Sequence, residues 1–189
     1  MGKTIELTAS DGHKLSAYQA DAASPKGGMI VIQEIFGVNK HMREVADLYA
    51  SQGYTSIAPA LFDRAERGVE TGYTPADQER VKPIRAALKW DQVLLDVTAA
   101  RDALKKLGVQ KIGIVGYCFG GSVSWLTATR IDGIAAASCY YGGNIADFAS
   151  ENPKCPVIIH VGDQDKSITA DKVEAVKKAH PDIPYYVYA

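Results

Sequence analysis

Ile112-Gly-Ile-Val-Gly-Tyr-Cys-Phe-Gly-Gly121 is the stretch that decides the fold. An apolar segment typical of a buried strand runs through Gly116-Tyr117-Cys118-Phe119-Gly120 directly into a predicted helix. This is the spacing of a nucleophile elbow, G-x-nucleophile-x-G, with Cys118 in the place of the nucleophile. The turn is so tight that its central residue adopts strained backbone geometry. Glycine on both sides lets the strand and the helix approach each other.

Strands and helices alternate on both sides of the elbow. Two short alternating segments around Asp11-Gly12 predict a hairpin, and from Met29 onward apolar runs alternate with helical patterns. The chain is therefore predicted to be one α/β domain over residues 1–189, with a mostly parallel central sheet and helices on both faces, as in the α/β-hydrolase fold. Residues 63–83 are polar and contain glycine and proline, which predicts a long surface excursion. The predicted strands are 4–8, 14–19, 29–33, 55–58, 111–116, 134–140, 156–161 and 183–188, and the predicted helices are 42–51, 91–107, 120–130 and 169–179.

Cys118 is the main catalytic candidate. The elbow places it at the N-terminus of a helix, where backbone N–H groups and the helix dipole favour a thiolate. The N–H of Phe119 is then directed at a developing oxyanion. The alternative is that Cys118 is a small buried hydrophobic residue, as free cysteines usually are, but the elbow favours the catalytic interpretation. Cys139 and Cys155 lack that context and are predicted to be structural.

Two acidic residues follow other predicted strands, at the edge where open α/β sheets form ligand crevices. Asp165 comes after strand 156–161, and an acid after the elbow has the chain order of this fold. The alternatives are that Asp165 caps the following helix or that Asp163 is the acid. Glu34 ends an otherwise apolar strand, where a carboxylate is costly unless it is paired or functional. Its alternative is a surface-loop residue.

Four segments carry a resemblance to the dienelactone hydrolase family. They are Gln33-Glu34-Ile35-Phe36-Gly37-Val38-Asn39, the elbow Gly116-Tyr117-Cys118-Phe119-Gly120-Gly121, Tyr140-Tyr141-Gly142 and Gly162-Asp163-Gln164-Asp165. The resemblance implies that Cys118 is the nucleophile and Asp165 the acid of a Cys-His-Asp triad. It also implies that Glu34 hydrogen-bonds the resting thiol and modulates it, and that the Ile35 and Phe119 N–H groups form the oxyanion hole.

The activity implied by the resemblance is hydrolysis of small esters or lactones through a thioester acyl-enzyme, of the carboxymethylenebutenolidase type. No cofactor or metal is expected, and the expected partner is a small-molecule substrate. Arg85 and Tyr141 are possible substrate-binding residues, although a solvated helix face is an equally good interpretation of Arg85. The alternative function is a non-catalytic or thiol-reactive binding protein that keeps the fold but lacks the triad histidine.

The histidines do not fit the triad by their positions. His13 lies in the hairpin turn, His41 at the start of a helix, His160 within a strand and His180 at a helix end, and each is expected to be structural or exposed. A triad histidine is required after the last strand. The sequence therefore predicts that this histidine and the last helix of the fold follow Ala189, so that the chain as written is truncated.

Composition excludes several classes of partner. The 21 basic and 22 acidic residues are balanced and not clustered, which argues against nucleic-acid binding. No apolar run approaches the roughly 20 residues that cross a bilayer, so no membrane association is expected. Three widely spaced cysteines without a C-x-x-C pair predict reduced thiols in the cytoplasm. The protein is expected to be a monomer or a homodimer.

Overall fold

A single sheet of eight strands organises the chain. The computed structural model describes residues 2–189. The strands lie in the order β1-β2-β4-β3-β5-β6-β7-β8, with β1 antiparallel to β2, β2 antiparallel to β4 and every other neighbouring pair parallel. Their bounds are β1 Lys3–Thr8, β2 Lys14–Ala20, β3 Gly27–Ile32, β4 Tyr54–Pro59, β5 Ile112–Tyr117, β6 Ala136–Tyr140, β7 Val157–Gly162 and β8 Tyr185–Tyr188.

Helices cover both faces of this sheet. The smaller apolar cluster lies on one face, where Met42 and Ala46 of helix α1 pack against strand residues such as Val31 and Val115. The larger cluster lies on the other face and includes Val97 and further residues from several helices. The helices are α1 Lys40–Ser51, α2 Pro75–Ala87, α3 Trp90–Lys106, α4 Phe119–Arg130 and α5 Ala170–Ala179, with 3-10 turns at Leu61–Arg64 and Ile145–Phe148. This architecture confirms the predicted α/β-hydrolase fold, and no helix within residues 2–189 has the length and apolar character to span a bilayer.

The prediction of an irregular surface excursion over residues 63–83 is wrong in its second half. Helix α2 begins at Pro75, and Thr74 and Asp77 form a capping box at its start. Proline is tolerated at the first helical position because its missing N–H would have no partner there. Val81 and Ile84 then anchor the helix in the core. Sequence patterning missed this helix because few of its residues are apolar and two are proline.

The backbone of the elbow is as strained as its sequence predicts. Cys118 has φ 56° and ψ −116°, in a region that residues with a side chain rarely adopt. An added Cβ at Gly116 would lie 1.9 Å from the carbonyl oxygen of Gly120, and one at Gly120 would lie 2.6 Å from the carbonyl oxygen of Ile32. Only glycine fits at both positions, so the strand, the turn and the helix meet through their main chains.

Gly116→Ala is expected to destabilise the protein strongly, because its new methyl group would overlap the Gly120 carbonyl. Overpacking costs typically about 1–3 kcal/mol and occasionally more, and a clash with backbone places this substitution at the upper end. The matched control is Gly143→Ala, since no atom lies within 4 Å of the Cβ position at Gly143. The control should change stability by less than about 0.5 kcal/mol. Urea unfolding followed by circular dichroism measures both, and equal midpoints for the two variants would contradict the close approach.

Candidate active site

The Cys118 thiol lies between strand β5 and helix α4, where the turn holds it half-buried. Its backbone N–H donates to the carbonyl of Tyr140 at 3.0 Å, which ties the elbow to the neighbouring strand β6. Burial raises the pKa of the thiol. The backbone N–H groups of Phe119 and Ile35 favour the thiolate and lower the pKa, while the negative charge of Glu34 raises it further. The helix N-terminus was expected to favour the thiolate, but burial outweighs it and the net shift is upward.

The backbone N–H groups of Ile35 and Phe119 are the two that the family resemblance assigns to an oxyanion hole. Ile35 follows strand β3 and Phe119 begins helix α4, so the two amides come from different parts of the chain. Both are close enough to the Cys118 sulfur to stabilise its anionic form. This arrangement can hold a developing negative charge next to the Cys118 sulfur.

Glu34 lies at the end of β3, and its carboxylate is held by two tyrosines. The Tyr73 hydroxyl donates to Oε2 at 2.7 Å, and the Tyr141 hydroxyl donates to Oε1 at 3.1 Å. Among the described residues, its carboxylate oxygens have no hydrogen bond from Cys118, in contrast to the thiol contact that the resemblance implies. Proximity to Glu34, after burial, raises the pKa of Tyr141, so this phenol remains a protonated donor. Glu34 is therefore paired, and it acts on the thiol through its charge.

Asp165 lies in the loop after β7, at the same carboxyl edge of the parallel strands as Cys118. It is half-buried, and its Oδ1 accepts from the N–H of Ser167 at 2.8 Å and from the Ser167 hydroxyl at 2.6 Å. It is close enough to contribute to the raised pKa of the Cys118 thiol. Helix α5 starts only at Ala170 with Thr169 before it, so Asp165 shapes a loop turn and does not cap that helix. Asp163, the alternative acid, is exposed.

The four histidines of residues 2–189 lie elsewhere, and none hydrogen-bonds with Cys118 or with Asp165. His13 belongs to the β1–β2 hairpin, and His41 is exposed on α1. His160 is buried in β7, where its Nδ1 lies 2.8 Å from the Tyr188 hydroxyl. His180 ends α5, with its Nε2 2.7 Å from a backbone carbonyl oxygen. This placement agrees with the structural or exposed roles predicted for all four.

Arg85 projects from helix α2 towards Cys118. Its guanidinium carbon lies 4.3 Å from the ring centre of Phe119 and 4.5 Å from that of Trp90. No described carboxylate is within salt-bridge distance of Arg85, unlike Arg80 on the same helix, which pairs with Glu66. Burial lowers the pKa of Arg85, and the nearby Cys118 raises it. An arginine keeps its charge under such a shift, so the site contains a half-buried cation without an anionic partner.

Sequence reasoning missed one polar contributor to this site. Tyr73 belongs to the segment that was predicted to be a surface excursion, and its ring packs on Phe36 with the centres 4.6 Å apart. The only local signal was the prediction that a long loop carries function, which names no residue. Within the described part of the chain, no group of three or more His, Cys, Asp or Glu side chains is arranged to hold a metal ion.

Relatives of this chain are found by both sequence and structure. A protein of Yersinia pestis named "Putative carboxymethylenebutenolidase" is 31% identical over 185 residues, which are 90% of this chain and 68% of that protein. A protein of the same name from Synechocystis is 35% identical over 132 residues, 68% of this chain, and the match spans about half, 53%, of that relative's length. The crystal structure of "Putative Dienelactone Hydrolase" from Klebsiella pneumoniae superposes with a TM-score of 0.83 at 28% identity, covering 100% of this chain and 86% of that one.

The family model agrees with these individual matches. The model of the dienelactone hydrolase family matches residues 15–187, which include the elbow, Glu34 and Asp165. This range confirms the family that the sequence motifs indicated. The chain belongs to the dienelactone hydrolase family.

Proposed function

We propose that this protein hydrolyses small esters or lactones, with the Cys118 sulfur as the nucleophile. The observation that carries the proposal is the elbow itself, in which Cys118 at φ 56° has the N–H groups of Ile35 and Phe119 beside its sulfur. A nucleophile and two convergent donors are what acyl transfer requires. Membership of the dienelactone hydrolase family supports the same reaction.

The proposed reaction has two stages. The Cys118 thiolate attacks the carbonyl carbon, a C–S bond forms, and the carbonyl oxygen becomes an oxyanion facing the amides of Ile35 and Phe119. Collapse of this intermediate expels the alkoxide, which takes up a proton, and leaves a thioester. Water then attacks the thioester, releasing the acid and restoring the thiol. The family pattern assigns the proton transfers to a histidine oriented by Asp165.

The substrate class that fits the site is an ester or lactone carrying a negative charge. Arg85 offers a cation close to Cys118 and has no carboxylate partner among the described side chains. Tyr141, beside Cys118 and hydrogen-bonded to Glu34, is the second proposed substrate contact.

The proposed location is a reducing compartment such as the cytoplasm, which the three cysteines free of disulfides support.

A second candidate is a thiol-reactive binding protein without turnover. It is favoured by one observation, namely that none of the four described histidines lies against Cys118. The two functions separate in one assay with p-nitrophenyl acetate. A burst of p-nitrophenol followed by steady release supports the hydrolase, whereas alkylation by iodoacetamide without ester hydrolysis supports the thiol-reactive protein.

Cys118→Ala is expected to abolish hydrolysis of short p-nitrophenyl esters, because no other group of the elbow can form the acyl-enzyme. Removing a nucleophile of this kind lowers kcat by roughly three orders of magnitude or more. Cys155→Ala is the matched control, since that half-buried thiol lies outside the elbow. Cys139→Ala tests a fully buried thiol, although it also opens a small cavity. Normal turnover in Cys118→Ala would exclude Cys118 as the nucleophile.

Glu34→Gln is expected to move the midpoint of Cys118 alkylation to lower pH. After burial, the Glu34 carboxylate contributes to the raised pKa of the thiol, so removing its charge lowers that pKa. The rate of reaction with iodoacetamide is measured from pH 6 to pH 10, in Cys139→Ala/Cys155→Ala protein to isolate one thiol. Glu44→Gln, an exposed carboxylate on helix α1, is the control, and an equal shift in both variants would refute the specific effect.

Arg85→Gln is expected to reduce activity towards esters that carry a carboxylate while leaving neutral esters unaffected. A hydrogen-bonded charge contact contributes about 1.5–3 kcal/mol, so kcat/KM for the anionic ester should fall at least about tenfold. Arg80→Gln is the matched control on the same helix, because its guanidinium is engaged by Glu66. Equal losses for charged and neutral esters would show that Arg85 supports the fold rather than the substrate.

A further inference from the structure

Residues 68–73 form a strap that crosses the segment after β3. Glu70 makes an isolated antiparallel bridge with Gly37, and the N–H of Thr71 donates to the carbonyl of Phe36 at 3.0 Å. Main-chain contacts therefore fix the strap to the segment that follows the acidic residue of the site. The strap ends at Tyr73, directly before the capping box of helix α2.

Tyr73 is the side chain by which the strap reaches the site. Its hydroxyl donates to one oxygen of Glu34 at 2.7 Å, while Tyr141 occupies the other oxygen at 3.1 Å. Its ring rests on Phe36, and yet 51% of the residue is exposed. The two donors thus differ: Tyr141 sits half-buried at the end of a central strand, and Tyr73 sits at the surface on a segment outside the sheet.

We propose that Tyr73 is a positioning residue that controls the reactivity of Cys118 through Glu34. Its hydroxyl holds one carboxylate oxygen of Glu34 in a fixed orientation, and so keeps that oxygen from accepting a hydrogen bond from the thiol. This inference rests on the proposed role of Cys118 as the nucleophile. It adds a control element from the strap, which the family motifs in the sequence do not contain.

The chemistry of the surrounding groups fixes the direction of the effect. The charged or titratable groups that act on Cys118 are Glu34, Asp165, Arg85 and Tyr141. Those close to the Glu34 carboxylate are Tyr73, Tyr117, Tyr141 and Cys118. When the Tyr73 hydroxyl is removed, the Cys118 thiol is a neighbouring group that can donate a replacement hydrogen bond to Glu34.

A thiol that donates to a carboxylate loses its proton less readily. Loss of the hydrogen bond from Tyr73 to Glu34 therefore makes Cys118 less reactive. Burial, followed by the hydrogen bond to Glu34, raises the pKa of Tyr73, so that its hydroxyl remains a donor throughout the neutral range. A tyrosine at the surface thus influences the protonation of the Cys118 thiol through Glu34.

The test compares Tyr73→Phe in two backgrounds, with Glu34 present and with Glu34→Gln. Cys118 alkylation by iodoacetamide is followed against pH in Cys139→Ala/Cys155→Ala protein. With Glu34 present, the midpoint should move to higher pH and the rate at pH 7 should fall by about tenfold or more, as expected when the thiol gains one hydrogen bond to a charged group. With Glu34→Gln, Tyr73→Phe should leave the midpoint unchanged.

Tyr54→Phe is the matched control, since Tyr54 is a partly exposed tyrosine at the start of β4. Because Tyr73 is half exposed, the variant should fold normally, which circular dichroism verifies. An unchanged or lowered midpoint with Glu34 present, or the same shift in both backgrounds, would overturn the inference. Alkylation does not require turnover, so a failure of the hydrolase proposal would be seen separately in the ester assay.

Discussion

The close approach of two backbone segments at the elbow is the constraint on which the site depends. Gly116 lets strand β5 meet helix α4 main chain to main chain, and Gly120 lets the same helix meet the end of β3. A methyl group at either position would overlap a carbonyl oxygen. The cost of this contact is the strained φ of Cys118. In return, the sulfur is presented at the carboxyl end of the sheet. The first turn of the helix then brings the Phe119 N–H to the sulfur.

Electrostatics then act on a thiol, that of Cys118, whose position is already set by the backbone. Burial opposes the thiolate, and Glu34 and Asp165 oppose it further, whereas the two amides favour it. The thiol is therefore held in its neutral form more firmly than a free cysteine. A site of this kind keeps its thiol protonated, and changes around Glu34 act directly on the reactivity of that thiol.

The parts of the site that could be predicted from sequence are those fixed by local chain geometry. Cys118 and the Phe119 amide follow from the spacing of glycines around a buried strand, and Glu34 stands out because a carboxylate at the end of an apolar strand needs a partner. The partner itself could not be predicted, because Tyr73 reaches Glu34 from 39 residues away along the chain. Helix α2 was also missed, since it has few apolar residues and begins with a proline. The contact of Arg85 with two aromatic rings depends on that helix, so it could not be predicted from the sequence either.

The packing of Arg85 has a consequence for the entropy of ligand binding. An arginine side chain carries roughly 2 kcal/mol of rotamer entropy, most of which an exposed arginine loses when it closes on a ligand. Here the guanidinium already rests on the faces of Trp90 and Phe119, so that much of its freedom is lost during folding. An anion that enters the site meets a cation that is already ordered. Affinity at this position then reflects the contact itself, with little cost for arranging the side chain that makes it.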